Sequence, residues 1–159
     1  MSPGRSPTLV QSRIAGVSFG PGVKIVEPVN LYGCRIGADT FIGPFTEIQK
    51  DVVIGRNCRI QSHTFICELV NIGDDCFIGH GVVFINDLFE NGGPARGDRS
   101  KYKSTHIGDG VSIGSNATIL PVVVAARAVI GAGAVVTRDI LKAGVYAGNP
   151  ARLLRSLPE

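Results

Sequence analysis

The sequence predicts an all-β solenoid, a parallel triangular prism of about five stacked coils, and three observations predict it. A bulky apolar residue recurs every six positions at Ile36, Ile42, Ile48, Ile54, Ile60, Ile66, Ile72, Ile78 and Phe84. That period fits neither a helix nor a flat strand and marks an internal repeat. The position after the anchor is often glycine (Gly37, Gly43, Gly55, Gly73, Gly79), and the fourth after it is small or branched (Thr40, Thr46, Val52, Cys58, Thr64, Val70, Cys76, Val82). Glycine makes up 21 of the 159 residues and aromatics only 6%, with no Trp, which calls for an aliphatic core and many turns.

Residues 1–16, rich in Ser, Pro and Gly, read as a flexible arm, and 17–159 as one domain. Anchors begin at Ile25 and Leu31, step by five to Ile36, then keep strict sixes to Phe84. A strand of four or five residues and a tight turn fill each hexad, and three hexads close one coil of eighteen residues. Every third anchor then lies above its predecessor. Ile36, Ile54 and Ile72 form one column, Ile42, Ile60 and Ile78 a second, and Ile48, Ile66 and Phe84 a third. Register is lost over an excursion loop at 86–106, which holds Gly92, Gly93 and Gly97 and four charged residues between Arg96 and Lys101. It resumes at Ile107, Ile113 and Ile119, shortens by one residue to Val124, and runs on through Ile130 and Val136. Beyond Val136 the pattern ends; GNP is turn chemistry, and the apolar, basic ARLLRSL reads as a short C-terminal cap of helical form.

A net charge of +3 without any Lys/Arg run or interleaved aromatic stripe argues against a nucleic-acid partner. The opening MSPGRSPTLV lacks the apolar core of a signal peptide, and no apolar run reaches the ~20 residues of a spanning helix. The expectation is a cytoplasmic protein with no membrane insertion. The four cysteines form no C-x-x-C pair, and Cys58 and Cys76 share the small inward slot of the hexad, so they read as core filler.

The hexads resemble the left-handed parallel β-helix of the hexapeptide-repeat acyltransferases, over about residues 23–152. Within that superfamily, IGAGAVVTRDI followed by GNPAR is similar to the last coil and cap of the acetyl-CoA-dependent sugar acetyltransferases. The resemblance implies acetyl-CoA as cosubstrate, no metal, and a homotrimer with the cofactor in the groove between neighbouring prisms. Backbone amides of small residues hold the uncharged pantetheine arm, and basic residues meet the phosphates. Carried over by position, those roles fall on Ser115, Ala132, Thr137, Arg138, Arg152 and Arg155.

The stretch FIGHGVVFINDLF with its Gly-rich, Arg-bearing loop looks most like N-acetyltransferases that modify the 3-amino group of nucleotide-linked sugars for O-antigen and related surface polysaccharides. By that resemblance Asn86 holds the sugar amine, and Asp87 lies beside it, contacting substrate or bracing the loop. A carboxamide orients an amine without a charge that would keep it protonated. The galactoside and maltose O-acetyltransferases carry a general-base His in the following loop, yet no His occurs between Asp87 and Thr105. A hydroxyl acceptor needs such a base and a neutral amine does not, which favours the amine. His80 is the candidate base, two residues after Ile78; His63 lies at the equivalent corner below, positioned to stack with it, and His106 closes the loop. Arg96 and Arg99 suit a nucleotide diphosphate, or serve as solubilising charge.

Rival readings are a sugar O-acetyltransferase, a γ-type carbonic anhydrase and a non-catalytic scaffold. Carbonic anhydrases of that type need a His pair five apart, whereas the spacings here are 17 and 26. A scaffold gains no stability from acetyl-CoA, whereas an enzyme that binds it does.

Overall fold

The computed structural model describes residues 8–157, so residues 1–7 of the expected arm lie outside it. The chain winds as seven coils; the first six each have three short parallel strands, and in the seventh an isolated bridge from Ile140 to Val124 takes the place of the second strand. In order the strands are β1 (Ile14–Ala15), β2 (Ser18–Phe19), β3 (Lys24–Ile25), β4 (Asn30–Tyr32), β5 (Arg35–Ile36), β6 (Phe41–Ile42), β7 (Glu47–Ile48), β8 (Val53–Ile54), β9 (Arg59–Ile60), β10 (Phe65–Ile66), β11 (Val70–Ile72), β12 (Phe77–Ile78) and β13 (Val83–Phe84). After the excursion follow β14 (Thr105–Ile107), β15 (Ser112–Ile113), β16 (Thr118–Ile119), β17 (Val123–Val124), β18 (Val129–Ile130), β19 (Val135–Val136), β20 (Gly144–Ala147) and β21 (Arg152–Ser156).

Every third strand pairs, which makes the three faces of a prism. Sheet A is β1-β4-β7-β10-β13-β16-β19, sheet B is β2-β5-β8-β11-β14-β17, and sheet C runs from β3 through β6, β9, β12, β15, β18 and β20 to β21. The register aligns Ile36 with Ile54, Ile42 with Ile60 and Ile48 with Ile66, so the anchor columns are those the hexads predict. This is the left-handed parallel β-helix of the resemblance. It has seven coils rather than about five, because β1 and β2 precede Ile25, the first anchor, and β20 follows Val136, the last. β1 itself, paired with β4, falls inside the segment expected as an arm. Most strands are two residues long, not four or five, because the turns take the remaining positions of each hexad.

The anchors and the small residues two before them fill one core, with Ile42, Ile48, Ile60, Ile66 and Ile78 fully buried. The buried Thr hydroxyls and thiols are satisfied by the coils they touch. Thr40 Oγ1 donates to the Gly55 carbonyl at 2.9 Å, and the Cys58 and Cys76 thiols donate to the Gly73 and Gly108 carbonyls at 3.1 and 3.2 Å. Glycine follows the anchor because stacked turns nearly touch: a Cβ on Gly37 would lie 2.5 Å from the Gly55 carbonyl carbon. The third residue after the anchor turns most corners with left-handed backbone, as at Asp51 (φ 61°) and Asn57 (φ 53°).

The C-terminal cap is a strand, not a helix. β21 turns back after Gly148 and pairs antiparallel with β20, with Val145 opposite Arg155. The last edge of sheet C needs donors and acceptors in a row, which an extended segment provides and a helix does not. The excursion ends at residue 104, two residues earlier than expected, where β14 begins, and it holds one short 3-10 turn at Arg99–Lys101.

Candidate functional site

His80 stands on the corner that leads from sheet C to sheet A. Stacking places Pro44, Ser62, His80, Ser115 and Ala132 in one line, as the registers of Ile42, Ile60, Ile78, Ile113 and Ile130 require. Bonds between coils tie the line together: Asn116 N donates to the His80 carbonyl at 2.8 Å, and Gly133 N to the Ser115 carbonyl at 2.9 Å. The candidate base and two cofactor candidates therefore occupy successive levels of one edge, each ~4.8 Å apart. Ser62 Oγ lies 2.8 Å from His80 Nδ1. With Nδ1–H donating to Ser62, Nε2 is the acceptor, which is the state a general base needs.

His63 does not stack on His80. It sits three residues after its anchor, where the backbone is left-handed (φ 61°), whereas His80 sits two after its own. The imidazole of His63 instead stacks on Phe45, with centroids 4.8 Å apart and planes inclined by 18°.

Asn86 occupies the next corner, from sheet A to sheet B, at the foot of the excursion. Its Nδ2 donates to the Glu68 carbonyl one coil below at 3.2 Å, and its own carbonyl accepts from Lys103 N at 2.9 Å. Asp87 braces the loop: its carboxylate accepts from Ala95 N at 2.6 Å and Phe89 N at 2.9 Å. Those two N–H groups, Ala95 first, hold its carboxyl below the usual range. Glu68 takes Arg99 Nε at 2.8 Å and Lys50 Nζ at 3.6 Å, and Arg99 also meets Asp51. The two carboxylates, Asp51 first, hold the Arg99 guanidinium above its ordinary value. Arg99 thus straps the excursion to the prism, with Nε and Nη2 engaged by Glu68 and Asp51. Arg96 is exposed and makes no ion pair among the described residues. His106 is exposed on sheet B, between Asn71 and Val123 in register, apart from both corners.

His80 and Asn86 belong to one coil but stand at opposite edges of sheet A, with β13 between them. The corner turn at Gly81 and the whole of β13 separate them, so the two side chains stand on different edges of the prism rather than facing one point.

Among the cofactor candidates, Thr137, Arg138 and Arg152 line one hollow of about 220 Å³ on the last coil, with Tyr146 and Ala151. Its two guanidinium groups suit phosphate, with Asp139 also in the lining; Val136 stacks in register over Ile119 and Phe84, so the hollow stands on the Asn86 edge of sheet A, while Ser115 and Ala132 climb the His80 edge. Arg155 is exposed on β21 and does not line this hollow. The residues that sequence reasoning passed over are Ser62, Glu68 and Asp51. The coil period signals two of them, since Ser62 and Glu68 each lie eighteen residues before His80 and Asn86.

Among the described residues no three metal-ligating side chains converge, and no helix is long and apolar enough to cross a membrane. All four cysteines are buried and free, and burial pushes the thiols of Cys34 and Cys67 up to about 11 and about 12.

Two family models match the chain. The bacterial transferase hexapeptide (six repeats) covers residues 33–68, and the hexapeptide repeat of succinyl-transferase covers 69–85 and 105–138, leaving out the excursion. Bifunctional protein GlmU of Marinobacter nauticus is 34% identical over 138 residues, spanning 81% of this chain and 30% of its own length. The chain spans between 27% and 45% of the length of the curated relatives it matches. A hexapeptide-repeat-containing acetyltransferase of Vibrio cholerae, solved with acetyl coenzyme A, superposes with a TM-score of 0.68 at 28% identity, covering 80% of this chain and 72% of that one. A mutant of AntD, an N-acyltransferase from Bacillus cereus solved with dTDP and coenzyme A, shares the fold with a TM-score of 0.78 at 23% identity, covering 89% and 84%.

Proposed function

The chain belongs to the hexapeptide-repeat transferases, and from that premise we propose that it is an acetyl-CoA-dependent N-acetyltransferase acting on the amino group, at C3, of a nucleotide-linked sugar for surface polysaccharide synthesis. The observation that carries this reading is the pair of edges of sheet A: His80, Ser115 and Ala132 stand in line on one, and Asn86 and, above it, the hollow of Thr137, Arg138 and Arg152 stand on the other. A thioester arm lying between the His80 edge of one chain and the Asn86 edge of a neighbour meets backbone donors on the first and guanidinium groups on the second. The Vibrio acetyltransferase binds acetyl coenzyme A and AntD binds dTDP with coenzyme A, which supports the same pairing of ligands here.

In the reaction the neutral sugar amine, oriented by the Asn86 carboxamide, attacks the acetyl carbonyl. The N–C bond forms as the C–S bond breaks, and a corner N–H steadies the oxyanion. The amine proton leaves to His80 Nε2 or to the departing thiolate, giving amide and free CoA. Because His80 and Asn86 stand at opposite edges of sheet A, a complete site takes Asn86 from one chain and His80 from a neighbour, which fits the expected homotrimer. Arg99 acts in this reading through the loop it straps, and Arg96 is the basic residue left for the diphosphate.

The test is thiol release from acetyl-CoA against UDP- and dTDP-linked 3-amino and 4-amino sugars and matching hydroxyl acceptors. Release with the amino sugars is expected. Release with hydroxyl acceptors alone would replace this reading by a sugar O-acetyltransferase.

A further inference from the structure

The Phe45–His63 stack has no place in the chemistry above, although it stands on the same corner as His80. Resting on the reading of a nucleotide-linked acceptor, we propose that Phe45 is the platform for the acceptor's nucleoside base, with His63 backing its ring.

Direction argues for this first. Ser115 and Ala132 climb from His80 toward the last coil, so the acceptor approaches from the coils below. Phe45 lies two levels below His80 on that corner, roughly 10 Å away, a distance that ribose and diphosphate bridge. Shape argues second. Beside Phe45 opens a hollow of about 380 Å³ whose apolar wall is Pro28, Val29 and Phe45 and whose rim holds Asn30 and Glu47. Asn30 Nδ2 donates to Glu47 Oε2 at 3.2 Å, so an amide and a carboxylate stand together where the edge of a base would be read. The hollow thus offers one aromatic face, an apolar floor and a few polar atoms at its edge, as base-binding pockets do.

Conformation argues third. Phe45 (φ 60°) and His63 (φ 61°) hold left-handed backbone, where comparable corners carry mostly Asp, Asn and Gly (Asp39, Asp51, Asn57, Asp75, Gly81, Asn116), with Leu69 and Arg127 as the other large side chains. Bulky aromatic residues are disfavoured there, and neither ring fills the core: Phe45 is 57% exposed. The core calls for neither ring; the two stack on each other outside it, which leaves one face of Phe45 for a ligand.

The experiment measures binding of UDP, dTDP and GDP by calorimetry, with acetyl-CoA binding as the control. Phe45→Asn keeps a residue suited to left-handed backbone and removes the ring; Phe45→Leu keeps bulk and removes the π face. Both should weaken nucleoside diphosphate binding about 5- to 100-fold, leave acetyl-CoA affinity unchanged, and raise the KM for sugar nucleotide at constant kcat. His63→Asn should weaken it by a smaller factor. Wild-type nucleotide affinity in either Phe45 variant, or equal loss of acetyl-CoA affinity, overturns the proposal. Wild-type protein that binds none of the three nucleotides overturns it also. Because binding is read without turnover, Phe45-dependent nucleotide binding stands even if no amino sugar is acetylated. Acetylation with a KM insensitive to Phe45 keeps the function and sinks the platform.

Discussion

Asn86 donates its amide to the Glu68 carbonyl and keeps its side-chain oxygen available for an amine. Asn86→Ala should lower turnover at least 100-fold with acetyl-CoA affinity unchanged, checked by steady-state rates and calorimetry; wild-type turnover would remove Asn86 from the mechanism. His80 makes a separable prediction through Ser62. Loss of a general base costs about 10² to 10⁴ in rate, so His80→Ala should fall in that range and Ser62→Ala should shift the pH profile with a smaller rate loss. A loss below tenfold for His80→Ala would assign the proton to the departing thiolate. At this scale the sequence showed the candidates but not their partners. Asn86 and His80 were legible from motif, whereas the bonds to Glu68 and Ser62 depend on which coil lies beneath.

The excursion is held at two points, by the Asp87 carboxylate on two loop amides and by Arg99 on Glu68 and Asp51. Asp87 has its folded-state pKa depressed, so its contribution is full above the ordinary carboxylate value of ~3.9 and is lost as pH falls through the lower folded value. Exchange protection of the Phe89 and Ala95 amides should accordingly collapse at acid pH while the strands stay protected, as hydrogen exchange would show. Arg99→Ala should make the 88–104 segment sensitive to limited proteolysis at neutral pH. The stacked turns give an independent test: Gly55→Ala drives a Cβ to 2.6 Å from the Gly73 carbonyl, and should destabilise by about 1–3 kcal/mol in urea unfolding. Equal midpoints for Gly55→Ala and wild type would show that the coils separate freely. Among the elements, the hexad strands were legible because a six-residue period has few physical solutions. The cap was misread because ARLLRSL is as compatible with a helix as with a strand, and only the open edge of β20 decides between them.

For the whole molecule, the separation of His80 and Asn86 across sheet A predicts complementation between chains. Mixing inactive Asn86→Ala and His80→Ala subunits should restore about a quarter of wild-type activity in randomly assembled oligomers, because each site then needs one intact residue from each of two chains. No recovery after subunit exchange would place both residues in one site of one chain. Size-exclusion chromatography with light scattering checks that the oligomer is a trimer.

By itself the sequence determined the prism, its three columns of anchors, and the point where the chain leaves them, because burial of one apolar residue in six leaves the backbone little choice. It also marked His80, Asn86 and the basic tail as chemically unusual among hexads. Tertiary structure decided which of these belong together. In-register stacking put His80 with Ser62, Ser115 and Ala132, spent Arg99 on Glu68 and Asp51, paired His63 with Phe45, and set Asn86 at the far edge of a face. These outcomes depend on contacts between residues a full coil apart and on which corner each residue turns, a matter of three-dimensional phase that the spacing alone does not settle.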